Sequence, residues 1–216
     1  MTQTALIDII PDIAQIARKC PPATLVRALN RAAREFCKQT RWMRLTLQGE
    51  TEADTQLYSM GADQDLEIIG LKAVSSAART GNTRARALTV STPTGWLPGQ
   101  PTGAPQRYAY VPEAMVALNP TPDAIYDLLL TIVVQPTLAS NSVPSQLLVR
   151  WDRAIKDGAL AYLHDIQGQP WSNPEQAQVK QRAFKSAINN ARADEQRDYQ
   201  SGTFIARRRP FVVGSM

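Results

Sequence analysis

Two periodicities divide the chain. Near the C-terminal end, apolar residues recur at helical spacing: Trp151, Ile155, Gly158, Tyr162 and Ile166 step by three and four and share one face. After the turn Gly168-Gln169-Pro170-Trp171-Ser172-Asn173-Pro174, a second stripe runs through Ala177, Phe184, Ile188 and Ala191. The stretch from Val149 to Tyr199 therefore predicts two helices joined by that turn, with Trp151, Tyr162, Trp171 and Phe184 as the large side chains of the hairpin. Ser172 is placed to cap the second helix, with Pro174 in its first turn and Glu175 three residues on, as a capping box requires. Asp152–Lys156 and Arg153–Asp157 are spaced for i,i+4 pairing on the solvent side of the first helix.

Near the start, Ile7 to Ala17 reads as a short helix interrupted by Pro11, with Asp8 or Asp12 as its cap. A longer helix follows from Pro22 to about Trp42, with Leu25, Leu29, Ala32 and Phe36 on one side. Arg27, Arg31, Arg34, Lys38 and Arg41 lie in a narrow arc opposite, and Glu35 is the only acid in that helix. Like charges at i,i+4 repel by a few tenths of a kcal/mol per pair, so the stripe calls for compensation. The candidates are solvent and salt, acids on an adjacent subunit (Asp152, Asp157, Glu175, Glu195 or Asp198), or phosphates.

From Arg44 to Pro136 the period shortens to that of strands. Candidate strands are Leu45–Leu47, Leu57–Tyr58, Leu66–Val74, Ala85–Val90, Arg107–Val111, Met115–Leu118 and Tyr126–Val134, completing a sheet. Thr92 to Gln106 is a Pro- and Gly-rich loop, and Asn119-Pro120-Thr121-Pro122-Asp123 is the turn before the last strand. The fold class expected is α+β. A helical bundle of 1–43 and 137–200, made from the N-terminal helices and a long C-terminal helical hairpin, carries a β-rich insertion at 44–136 and an extended arm at 201–216.

Composition adjusts this plan only modestly. The 216 residues are 44% hydrophobic, enough for one core or a core and a small lobe, and the formal charge is +5. That balance suits an acidic partner. The two cysteines, Cys20 and Cys37, and the lone His164 match no zinc spacing, and the thiols read as reduced and partly buried. The start shows no signal-peptide pattern, and no apolar run approaches the roughly 20 residues that span a membrane. His164 reads as a packed side chain, with no nucleophile elbow or phosphate loop elsewhere; no catalytic residue, metal site or cofactor is expected.

The end of the chain is unusual. Gly202 stops the last helix, and beyond it Phe204, Ile205, Phe211 and Val212 flank Arg207, Arg208 and Arg209. Apolar side chains gain from leaving water, so the arm suits docking on a sheet edge or in a groove.

Four stretches, taken in order, resemble the head-to-tail adaptor (connector) proteins of tailed bacteriophages. They are the proline-broken lead Ile10-Pro11 and Cys20-Pro21 followed by Arg27 to Trp42, then Gly103-Ala104-Pro105-Gln106-Arg107-Tyr108, then Asn119 to Asp123, and last Trp151 through Ala161 closing on Gly168 to Pro174. The region Gly49 to Pro105 is longer than the pattern. The resemblance implies a structural protein, made in the host cytoplasm and located in the virion. It implies a ring of twelve copies beneath the portal protein, above a tail or nozzle protein, passing double-stranded DNA without gripping it, and with no membrane. It also implies that the C-terminal arm reaches the portal. A basic helical DNA-binding regulator is the alternative, with Ala28 to Trp42 as its reading helix; against it, the stripe is nearly pure charge, where base readers mix in Asn and Gln.

Overall fold

The structure is a computed structural model that describes residues 2–78, 85–92 and 101–201, with side chains as far as Arg197. The arm residues Phe204, Ile205, Arg207, Arg208, Arg209, Phe211 and Val212 lie outside the described residues.

The expectation of a helical bundle with a long hairpin and one β-rich insertion is corrected. The protein is mixed, 40% helix and 31% strand, and its strands form three separate sheets. Part of the reason is local: strands of three residues are too short to show a period, so one sheet escaped notice altogether. It pairs β1 (Gln3–Ala5) with β10 (Ser142–Pro144) in antiparallel register, Thr4 opposite Val143. The remaining reason is non-local, since which strands pair is set by contacts far apart in sequence.

The chain divides into two compact units. The first contains residues 2–43, 64–67 and 135–201. In it a short 3-10 turn, Leu6–Ile9, leads into α1 (Ile10–Ala14), where Pro11 stands in the first turn. α2 (Pro22–Thr40) buries Leu25, Ala28, Leu29, Ala32, Ala33, Phe36 and Cys37, a wider face than the four-residue stripe predicts. α3 (Ser145–Asp165) starts six residues before the apolar period does, and it is broken at Trp151, whose φ of −125° and ψ of 17° are non-helical. α4 (Pro174–Ser201) packs on α3, and both pack on α2.

Gly158 makes that three-helix contact possible. A Cβ there would stand 2.9 Å from a ring carbon of Phe184 and 3.0 Å from the Cβ of Ala32. Aromatic packing continues along the seam, with Phe36 5.3 Å from Trp151 and Trp151 edge-on to Trp42 at 6.4 Å.

The second unit contains 44–63 and the described residues of 68–134. One four-stranded sheet has the order β2 (Arg44–Glu50), β9 (Tyr126–Pro136), β4 (Leu66–Ala78), β5 (Arg86–Ala87). Another has the order β3 (Leu57–Ser59), β8 (Met115–Asn119), β7 (Arg107–Val111), β6 (Thr89–Val90), with β6 parallel to β7. Leu128, Leu130, Ile132, Val133 and Val134 of β9 are buried, which explains its near-continuous apolar run. Tyr58 is wholly buried; its hydroxyl donates to the Thr55 carbonyl at 2.6 Å and to the Glu52 carbonyl at 3.1 Å, and accepts from the Glu52 N–H.

Candidate interaction surface

The basic face of α2 is the most distinctive surface that the sequence points to. Helical spacing carries Arg27, Arg31, Arg34 and Lys38 to one side of α2, away from Leu25, Leu29, Ala32 and Phe36. Arg41 leaves the arc. The helix ends at Thr40, and Arg41 is its cap in the left-handed conformation at φ 50°, its N–H donating to the Cys37 carbonyl. Thr40 reinforces the stop, since its hydroxyl donates to the Phe36 carbonyl and accepts from the Trp42 N–H.

Within the stripe the charges are not equivalent. Arg31 lies over the ring of Tyr162 at 4.2 Å, a cation–π contact between α2 and α3. Arg34 donates to the Pro136 carbonyl and pairs with Glu67 at 3.1 Å, while Glu67 also accepts from Gln135. Those two cations are held inside their own unit. Arg27, Lys38 and Arg41 form no ion pair among the described residues and are exposed. Arg31, Arg34 and Lys38, together with Glu35, Gln39 and Gln135, line an open, predominantly basic depression of about 570 Å³.

Acids proposed as complements are mostly engaged. Asp152 pairs with Lys156 at 2.6 Å, as the spacing predicts, and Lys156 also reaches Asp12 on α1. Burial lowers the Lys156 pKa, but hydrogen bonds to Asp12 and then Asp152 more than reverse this, leaving it raised. Asp12 is thus an ion-pair partner with no side-chain capping bond. Asp157 is buried and pairs with Lys180 of α4 at 2.7 Å, so the expected solvent-side Arg153–Asp157 pair gives way to a cross-helix one. Sequence spacing sees only partners within a helix, and a side chain that faces the seam takes its partner from the neighbour. Glu175 is exposed and Asp198 lies beyond the described side chains.

The turn between α3 and α4 is built around His164. Its Nδ1 donates to the Trp171 carbonyl at 2.7 Å, and its own carbonyl accepts from the Asn173 N–H. Gly168 takes φ +74° there, a conformation that suits glycine. The helix cap is Asn173, whose Oδ1 accepts from the Gln176 N–H, one residue after the predicted Ser172. Ser172 instead turns back toward the His164 carbonyl. Trp171 is half-buried in the turn, Phe184 is buried at the helix seam, and Tyr162 is 37% exposed.

Asn30 went unnoticed in the sequence. It is buried, and its amide donates to the carbonyls of Thr137, at 3.1 Å, and Ser140, tying that segment to α2. The available signal was a polar residue inside the broad apolar face of α2, next to Leu29. Cys20 and Cys37 are both free and buried, and burial pushes the Cys37 thiol up to about 12.

Among the described residues, no group of three or more His, Cys, Asp or Glu is arranged to hold a metal ion, and no helix is long and apolar enough to cross a membrane. What the geometry offers is surface: a cationic helix face, a rigid helix seam and a mixed-sheet lobe. No curated protein matches the chain. The model of the SU10 adaptor protein family matches residues 2–209, and the chain belongs to that family of phage adaptors.

Proposed function

We propose that this chain is a head-to-tail adaptor of a tailed bacteriophage, a structural component without enzymatic activity. Twelve copies close into a ring between the portal and a tail or nozzle protein, and double-stranded DNA passes through the ring. Residues 1–43 and 137–200 form the body of each subunit, 44–136 its lobe and 201–216 its arm. The observation that carries this reading is the family match over 2–209, which spans both units.

A closed ring needs two different faces that meet head to tail. The exposed Arg27 and Lys38 on α2 are suited to one of them, and the exposed Glu175 at the start of α4 is suited to the other. Arg31 and Arg34 serve the subunit's own fold, so fewer cations remain for phosphates than the sequence suggests. That loss favours a channel with weak, salt-sensitive contacts over a DNA-reading helix.

The arm is assigned to the portal, with Phe204, Ile205, Phe211 and Val212 as apolar anchors and Arg207, Arg208 and Arg209 as its charged centre. Deleting residues 203–216 is expected to leave both units folded and to abolish co-sedimentation with portal rings. Undiminished co-sedimentation of the truncated chain overturns the assignment of the arm. Negative-stain images of the full chain with portal are expected to show rings; small particles bound to short duplex DNA instead favour the regulator.

A further inference from the structure

The depression on α2 contains a group that a plain basic stripe does not explain. Beside Arg31, Arg34, Glu35, Lys38 and Gln39 it is lined by Gln135, which belongs to the same helical unit. Gln135 is only 5% exposed. Its Nε2 donates to Glu67 at 3.0 Å, while its buried Oε1 has no hydrogen-bond partner. Turning the amide over gives no relief, because Oε1 would then face the Glu67 carboxylate. Buried polar atoms are nearly always partnered, so an acceptor left open in the wall of a depression points to a donor from outside.

The charges around it are unequal. Arg34 is taken up by Glu67 and the Pro136 carbonyl. Glu35 accepts from Gln39 Nε2 at 2.9 Å. Arg31 lies over Tyr162 but forms no ion pair among the described residues, and neither does the exposed Lys38. The depression therefore offers positive charge from Lys38 and Arg31 next to a neutral acceptor.

An occupant must bring an anion and a hydrogen-bond donor side by side. A DNA phosphodiester brings acceptors only and leaves Gln135 Oε1 open. A lysine or arginine is repelled by Lys38. A carboxylate with an amide beside it supplies both groups, and the first turns of α4 carry that pair. Glu175 and Gln178 are three residues apart, so they share a face of α4, and both are exposed. Val179, one turn after Glu175, is 55% exposed and adds apolar surface to the same face. Glu175 forms no ion pair in its own subunit and does not line its own depression.

We propose that the depression on α2 is a socket for the start of α4 from a second copy of this chain. The Glu175 carboxylate lies against Lys38 and Arg31, and the Gln178 amide donates to Gln135 Oε1. The inference rests on the reading that copies of the chain meet head to tail, and it names the contact through which they do so. Arg34 and Glu67 act as positioning residues, since they fix the amide that receives Gln178.

The test is a zero-length cross-link in the unaltered full-length chain, free and on portal rings. A carbodiimide joins a lysine amine to a carboxylate that touches it. An equal mixture of unlabelled and heavy-isotope-labelled protein distinguishes links between copies from links within one. The expected product joins Lys38 to Glu175 with one light and one heavy peptide. No mixed Lys38 product in either setting, or mixed products of Lys38 with other acids alone, overturns the inference.

Charge reversal gives a second readout. Lys38→Glu and Glu175→Lys are each expected to weaken association in sedimentation about tenfold or more, because like charges are brought together. The double variant is expected to recover most of the loss, since the pair re-forms with its signs exchanged. Arg27→Glu, on the same helix but outside the depression, is expected to change association by about twofold at most, as exposed pairs do. An equal loss for Arg27→Glu shows a general charge effect and overturns the socket. Short duplex DNA at physiological salt is expected to leave the Lys38–Glu175 link in place; its displacement assigns the depression to phosphates instead. Far-UV spectra check that the variants fold. Rings seen without the link overturn the socket and leave the ring reading standing, whereas the link in a mere dimer does the reverse.

Discussion

The helical unit and the β unit each bury a titratable side chain completely, and they use it differently. Cys37 on α2 has its thiol near the Met43 sulfur at 4.0 Å, with no backbone group leaning on it. It fills volume between helices whose backbones satisfy themselves. Tyr58 on β3 is a hub: its hydroxyl serves the backbone of Glu52 and Thr55, which form no strand. Burial pushes both groups up to about 12. For Tyr58 the bond to the Glu52 backbone opposes the shift and the Glu52 charge adds to it. The difference is one of architecture. Helices close their own hydrogen bonds, whereas a lobe of short strands and long turns needs side chains to complete its loops.

The charges contrast in the same way. In the helical unit acids and bases meet across the seams, Lys180 of α4 on Asp157 of α3 and Lys156 of α3 on Asp12 of α1, and within α3, Lys156 on Asp152. In the β unit carboxylates face each other across β2 and β9.

The largest break in this contrast is expected from Gly158→Val. Its side chain enters space already taken by Phe184 and Ala32, and overpacking a seam costs on the order of 3 kcal/mol. A urea titration followed by tryptophan fluorescence should show the helical unit failing first, since three of the four tryptophans, Trp42, Trp151 and Trp171, belong to it. An unchanged midpoint argues that the seam opens readily.

Tyr58→Phe and Asn30→Leu form a matched pair, one in each unit. Both remove a buried donor from backbone carbonyls, and each is expected to cost about 1–3 kcal/mol. Amide exchange should localise the loss, to 51–58 for Tyr58→Phe and to 137–141 for Asn30→Leu. Global, identical exchange profiles would show that the two units unfold as one.

The smallest effect at neutral pH is the alkaline one. Both groups are acids whose folded pKa is raised, so the stability they contribute is present below their ordinary values and is lost as pH rises through the folded values. The windows run from 9.0 to about 12 for Cys37 and from 10.0 to about 12 for Tyr58. Cys37→Ala is expected to flatten the fall in stability beginning near pH 9, and Tyr58→Phe the part beginning near pH 10. Thermal melts at intervals of half a pH unit separate them, and parallel curves for the wild type and Cys37→Ala would exclude the thiol.

Residue order by itself determined where most elements lie. β7 spans Arg107–Val111 as the alternation predicts, and α2 runs close to its predicted limits, because helical and strand periods are local properties of a half-buried backbone. It also carried the family resemblance, through short stretches that keep their order.

Only the tertiary structure decided how the pieces share partners. Asp157 looks like a surface acid until α4 supplies Lys180, and Arg34 looks like a free cation until Glu67 and the Pro136 carbonyl take it up. The sheet of β1 and β10, the cap at Arg41 and the facing carboxylates of Glu50 and Asp127 were equally invisible. Each is a meeting of residues distant in sequence or a local backbone choice made by its surroundings. Partnership of that kind follows from three-dimensional register, which no period along the chain encodes.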